Sequence, residues 1–211
     1  MPKQLTVTAY SFAELNDKAK DKARDKFREH ALQYDWWDSI YEDADNLATL
    51  MGIDIDRKQK GGIGIEFSGF ASQGDGASFT GTWTHKADGA EAVRRDAPLD
   101  EKLHAIVDEL DALGRKLGPN VRATATRIDH RYSHDCTVRV DLEDTEDEDR
   151  EIDEATRKEV QEALRSFMRW IYRQLEAEYT YRMSDEAIDE DIEANDYLFT
   201  VEGSRTTVLN D

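Results

Sequence analysis

Val160, Leu164, Phe167, Ile171 and Leu175 recur every three or four residues through the stretch 152–182. That period puts them on one face of a long α-helix. Ala163, Met168 and Trp170 widen the stripe beyond what a surface helix needs. Such a helix belongs either at the centre of a core or in a subunit contact, so a homodimer is one way to cover it. A second helical pattern starts at Asp96 and Pro98, passes through Leu99, Leu103, Ile106, Val107, Leu110, Leu113 and Leu117, and stops at Gly118-Pro119. Two more are expected. One spans 16–33, with Leu15, Ala19, Ala23 and Phe27 on its inner line. The other spans 36–51, with Trp37, Ile40, Ala44, Leu47 and Met51 inside and Gly52 as its stop. A short fifth helix follows the Ser184 cap.

Between these patterns apolar residues alternate, the mark of half-buried strands. The inner faces are Leu5, Val7 and Ala9; Ile63, Ile65 and Phe67; Ala77, Phe79 and Trp83; and Val121, Ala123 and Ala125. Two later ones are His134, Cys136, Val138, Val140 and Leu142, and Tyr197, Phe199 and Val201. Gly74-Asp75-Gly76 is a turn signal between two of them. Helices and strands do not alternate in a βαβ rhythm. The expected class is therefore α+β, a mostly antiparallel sheet of five to six strands packed with about five helices, including one long C-terminal helix. One domain over 1–211 is expected, and a subdomain seam fits best near 143–150.

Charge is distributed unevenly. Residues 141–154, DLEDTEDEDREIDE, hold ten acids and one base, and 185–196, DEAIDEDIEAND, hold seven acids and no base. Together they carry 1 − 17 = −16 of the formal −19, which leaves the other 185 residues near balance. Helix-start acids favour the dipole, which accounts for Asp149, Asp153, Glu154, Asp185 and Glu186 but not for 143–148 or 189–193. Concentrated acid points to a basic partner surface, and phosphates need Lys and Arg, so direct nucleic-acid binding is not expected. The candidate contact residues are Glu143, Asp144, Glu146, Asp147, Glu148 and Asp149 in the first run, and Asp185, Glu186, Asp189, Glu190, Asp191 and Glu193 in the second. Trp36 joins them, because only one of Trp36 and Trp37 can follow the buried stripe and Trp is enriched in interface hot spots. A straight helix over 152–182 would set the two runs roughly 45 Å apart, at ~1.5 Å per residue.

Other chemistry has little support. No membrane-length apolar stretch or signal-peptide core occurs, and the single Cys136 suits a reducing compartment, so a cytoplasmic protein is expected. The acidic runs lack the Gly and Glu spacing of a calcium loop. His130, His134 and Cys136 do not have zinc-motif spacing, and Cys136 reads as a buried structural thiol. No P-loop, GxGxxG or GxSxG motif is present. No cofactor, metal or catalytic residue is expected, and an enzyme would have to use the Gly-Asp-Gly loop.

Three stretches resemble a widespread family of phage and prophage proteins: YDWWDSIYEDA at 34–44, FSGFASQGDGASFTG at 67–81, and YRQLEAEYTYRMSDEAIDEDIEANDYLFTVEG at 172–203. Members are sometimes labelled as the antitoxin of a toxin–antitoxin stability system. KQKGGIGIEF and the very acidic 143–149 depart from the family's usual pattern. The resemblance implies a phage setting. In that setting the acidic runs read as an inhibitor of a host defence nucleoprotein complex, of the anti-CRISPR or anti-restriction type, that mimics DNA. An antitoxin that binds a toxin directly is the alternative.

Overall fold

A computed structural model describes residues 8–128 and 130–206. Its first elements are β1 (Tyr10–Ser11), α1 (Asp17–Arg28), α2 (Asp38–Leu50), β2 (Ile53–Ile55), β3 (Ile65–Ser68), β4 (Gly76–Phe79) and β5 (Gly81–Thr84). There follow α3 (Gly89–Asp96), α4 (Glu101–Leu117), β6 (Val121–Arg127), β7 (Val138–Asp144), α5 (Glu154–Arg182), α6 (Asp185–Ala194), β8 (Leu198–Phe199) and β9 (Arg205–Thr206). Helices and antiparallel strands make an α+β fold with one long C-terminal helix. The chain forms two compact units. One joins the residues up to 36 with those from 177, and the other is 37–176. Where the sequence suggested a single domain with a seam near 143–150, the boundaries fall at 36/37 and, inside α5, at 176/177.

The smaller unit pairs the two ends of the chain. β8 lies between β1 and β9, all antiparallel. Asn16 caps α1 by accepting from the Ala19 N–H, and Ser184 caps α6 by accepting from the Ala187 N–H. Phe12, Leu15, Ala19 and Ala23 pack with Ile188, Ile192 and Phe199. Trp36, expected as a contact residue, is instead 7% exposed, with its ring 6.2 Å from that of Tyr179. Val201, expected inside a strand, lies exposed in the turn before β9. The strand expected at 5–9 falls on Leu5 and Val7, outside the described residues.

The larger unit is built on a four-stranded antiparallel sheet, ordered β2-β5-β6-β7, beside the β3–β4 hairpin. β6 and β7 alternate as expected, with Val121, Ala123, Ala125, Val138, Val140 and Leu142 buried. The single strand expected through Ala77, Phe79 and Trp83 is two strands. β4 pairs with β3, β5 pairs with β2 and β6, and the chain crosses between them at Thr80-Gly81. Gly81 has φ +154°, and a Cβ there would meet the Asp54 carbonyl oxygen at 2.2 Å, so only glycine lets β5 come this close to β2.

The apolar stripe of α5 is covered by the same chain: Val160, Leu164, Phe167, Ile171 and Leu175 are all at most 1% exposed. Of the two readings of that stripe, core is the one realised. Its polar side also has work to do. Arg157 donates to the Leu142 carbonyl and Arg165 to the Val138 carbonyl, both at 3.1 Å. These bonds occupy acceptors of β7, an edge strand that would otherwise offer them to another chain. The helix expected to start at Asp96 begins instead at Glu101, because α3 ends at Asp96 and Pro98 disfavours helix in the residue before it. Asp100 caps α4 through the Leu103 N–H and also accepts from the Trp170 indole N–H. Leu99, expected inside, is left in the turn and 93% exposed.

Candidate functional site

The first acidic run begins on β7, with Asp141, Glu143 and Asp144, and continues as the loop that leads into α5. Asp144 closes β7 pointing inward, because burial alternates along the strand and its position falls on the buried face. One of its oxygens accepts from the N–H groups of Glu146 and Asp147, at 3.0 and 3.2 Å. The other accepts from Arg150 at 2.7 Å, and the same guanidinium donates to the Leu117 carbonyl. The Arg150 hydrogen bond, then those two N–H groups, hold the Asp144 carboxyl below its ordinary pKa. Thr145 bonds the Asn120 carbonyl through both N–H and hydroxyl, and the Asn120 amide donates to Glu146 at 2.7 Å. The one base of the run is thus engaged by Asp144 and the Leu117 carbonyl. Glu143, Asp147, Glu148 and Asp149 are exposed and form no ion pair among the described residues. Asp144 is a structural residue, not a free contact.

The second run is α6, and it is only half available. Asp189 takes a bidentate bond from Arg24 at 2.7 Å, and Asp185 pairs with Arg28 and, at 3.7 Å, with Arg24. The Asp189 hydrogen bond raises the Arg24 pKa further. Glu190 accepts from the Tyr181 hydroxyl, an arrangement that raises the tyrosine pKa. Glu186, Asp191 and Glu193 remain exposed. Neither Asp185 nor Asp189 is a free charge.

A second site falls on His130, His134 and Cys136, which the sequence reading set aside for lack of zinc-motif spacing. The described residues joining β6 to β7, 128 and 130–137, include a foot closed by the Ile128 N–H and the Thr137 carbonyl. Ser68 and Ser133 tie it to β3: the Ser133 N–H donates to the Ser68 hydroxyl, which donates to the Ser133 carbonyl. A 3-10 turn at Asp135–Thr137 precedes the strand and reverses the alternation. Asp135 and Thr137 are therefore buried and Cys136 is exposed, the opposite of the buried thiol expected. The Asp135 carboxylate accepts from Arg169 of α5 at 2.7 Å and stands 2.6 Å from His134 Nδ1, which also receives the Cys136 N–H at 3.0 Å. A Cβ on Gly76 would meet the His134 ring at 2.7 Å, so the glycine after Asp75 is what lets this ring seat against β4.

His130, Tyr132, His134 and Cys136, with Gly74 and Ile128, line a cavity of 320 Å³ here. Among the described residues, His134, Asp135 and Cys136 are the group able to hold a metal ion, with one ligand atom from each within 4.8 Å of the others. Asp75 itself is engaged in its own loop, accepting from the N–H groups of Ala71 and Ser72. The sequence signal for this site was the His-Asp-Cys run itself. It was hidden because a strand pattern, extended two residues too far, put the thiol on the wrong face.

The chain belongs to the family described as Domain of unknown function (DUF8835), which matches residues 36–185. That span contains the whole larger unit, the acidic loop and the pocket, and only the first residue of α6. No curated protein and no solved structure matches the chain. No described helix is long and apolar enough to cross a membrane.

Proposed function

We propose that the protein binds a basic, nucleic-acid-binding surface of a host protein complex and blocks it, as a phage-encoded inhibitor of the anti-CRISPR or anti-restriction type acting in the host cytoplasm. The observation that carries this reading is the β7–α5 loop. Asp147, Glu148 and Asp149 on a loop that Asp144, Arg150 and Asn120 tie down, and Glu143 on the exposed face of β7 just before it, form no ion pair among the described residues. A mobile charged loop would lose entropy on binding, whereas a tethered one presents its charges in place. Duplex DNA carries one charge per ~1.7 Å of axis, so dense fixed carboxylates compete for the same Lys and Arg side chains. The resemblance of 34–44, 67–81 and 172–203 to phage and prophage proteins supplies the setting. Glu186, Asp191 and Glu193 on α6 offer further exposed acid, but the paired Asp185 and Asp189 do not. Dimerisation is not part of the reading, since the stripe that suggested it is buried.

The test is the quadruple variant Glu143→Gln, Asp147→Asn, Glu148→Gln and Asp149→Asn. In a defence-bearing host, phage plating should be restored by the wild-type chain and not by the variant, whose circular dichroism stays unchanged. Equal protection by both would assign these carboxylates to solvation.

A second reading, an antitoxin-like protein that binds a toxin directly, has one observation in its favour. Leu99 projects beside an open apolar cleft of 620 Å³ formed by residues 97–102, the kind of exposed apolar surface a protein contact uses. Rescue of growth from a co-expressed toxic neighbour, lost in Leu99→Asp, would select it.

A further inference from the structure

We propose that the pocket of the β6–β7 loop is a binding site for a divalent ion of the zinc class, ligated by His134, Asp135 and Cys136. The donor set chooses the ion. A thiol with an imidazole and one carboxylate suits zinc or cobalt, whereas calcium and magnesium take oxygen ligands. Three ligand atoms already lie within 4.8 Å of one another before any ion is placed.

The ligand atoms already face one another. His134 Nδ1 receives the Cys136 N–H at 3.0 Å and stands 2.6 Å from an Asp135 oxygen. Around the cluster the supports resemble the outer shell of metal sites, where ligands are themselves held by hydrogen bonds. Arg169 fixes the other Asp135 oxygen, Thr137 closes the turn by donating to the His134 carbonyl at 2.6 Å, and Gly76 leaves room for the ring. Cys136 is exposed, which leaves a path of entry. Three protein ligands leave a fourth position for water or a small ligand, and two of them, His134 and Cys136, border the 320 Å³ cavity that His130 and Tyr132 also line. This site is separate from the acidic loop and does not depend on the inhibitory reading.

Cobalt(II) is the probe, titrated into the full chain under reducing conditions. One equivalent should give a sulfur-to-cobalt charge-transfer band in the near ultraviolet, displaced by one equivalent of zinc. Oxygen-only binding by the acidic runs gives no such band, so the two kinds of site are distinguished. Cys136→Ser, at an exposed position, should abolish the band with the fold intact by circular dichroism. His134→Gln should weaken binding by at least about tenfold. Absence of the band in the wild-type chain, or unchanged zinc affinity in Cys136→Ser, overturns the proposal.

Discussion

At Asp144 a single carboxylate satisfies two backbone N–H groups and a guanidinium, and so converts a run of acids into a shaped loop. Its pKa is lowered in the folded state, so its contribution to stability is present above the unfolded value near 4 and is lost as pH falls through the folded value. Asp144→Asn should therefore lower the urea midpoint at pH 7, and by less as the pH is taken below about 4. A midpoint difference independent of pH would contradict that role. Gly81→Ala, which drives a Cβ into the Asp54 carbonyl, should cost about 2 kcal/mol or more in urea unfolding. Several residues were misread from sequence for a common reason. Trp36, Leu99 and Cys136 were each placed by extending a periodic pattern past the point where a turn begins, and a turn shifts every later side chain.

Among the elements, the long helix, the α4 pattern and the β6–β7 alternation were legible, because each repeats its period over many residues. β2, three residues long, and α3, eight residues long, were not recognised, since neither is long enough to establish a period. The α1–α6 pairing was also invisible. The bases of α1 and the acids of α6 are some 160 residues apart in the chain, and only the fold joins Arg24 to Asp189. The Arg24 and Asp189 side chains are 18% and 28% exposed. A double-mutant cycle of Arg24→Ala and Asp189→Ala should return a coupling of about 0.5–1 kcal/mol that shrinks with added salt. Zero coupling at low salt would mean that the Arg24–Asp189 pair contributes nothing to holding α6.

For the molecule as a whole, three separate stretches of the sequence, 34–44, 67–81 and 172–203, acquire a physical link. Trp37 meets Phe67 edge-on at 5.6 Å, Phe67 stacks on Phe70 at 5.5 Å, and Phe70 stacks on Tyr172 at 5.4 Å. One aromatic row thus draws a residue from each stretch into the larger unit. The acidic loop was legible as composition, but its tethering was not, because that depends on Asn120 and Leu117 brought alongside. The pocket was illegible for the same reason, needing Gly76 and His134 from different hairpins. The central claim is that the unpaired carboxylates of an ordered loop occupy a basic nucleic-acid surface. It is tested most directly by capturing partners from host lysate with the wild-type chain and the quadruple loop variant, each with and without duplex DNA. The account predicts a nucleic-acid enzyme captured by the wild type alone and released by DNA or raised salt. Capture of the same partner by both chains, insensitive to DNA and salt, would contradict it.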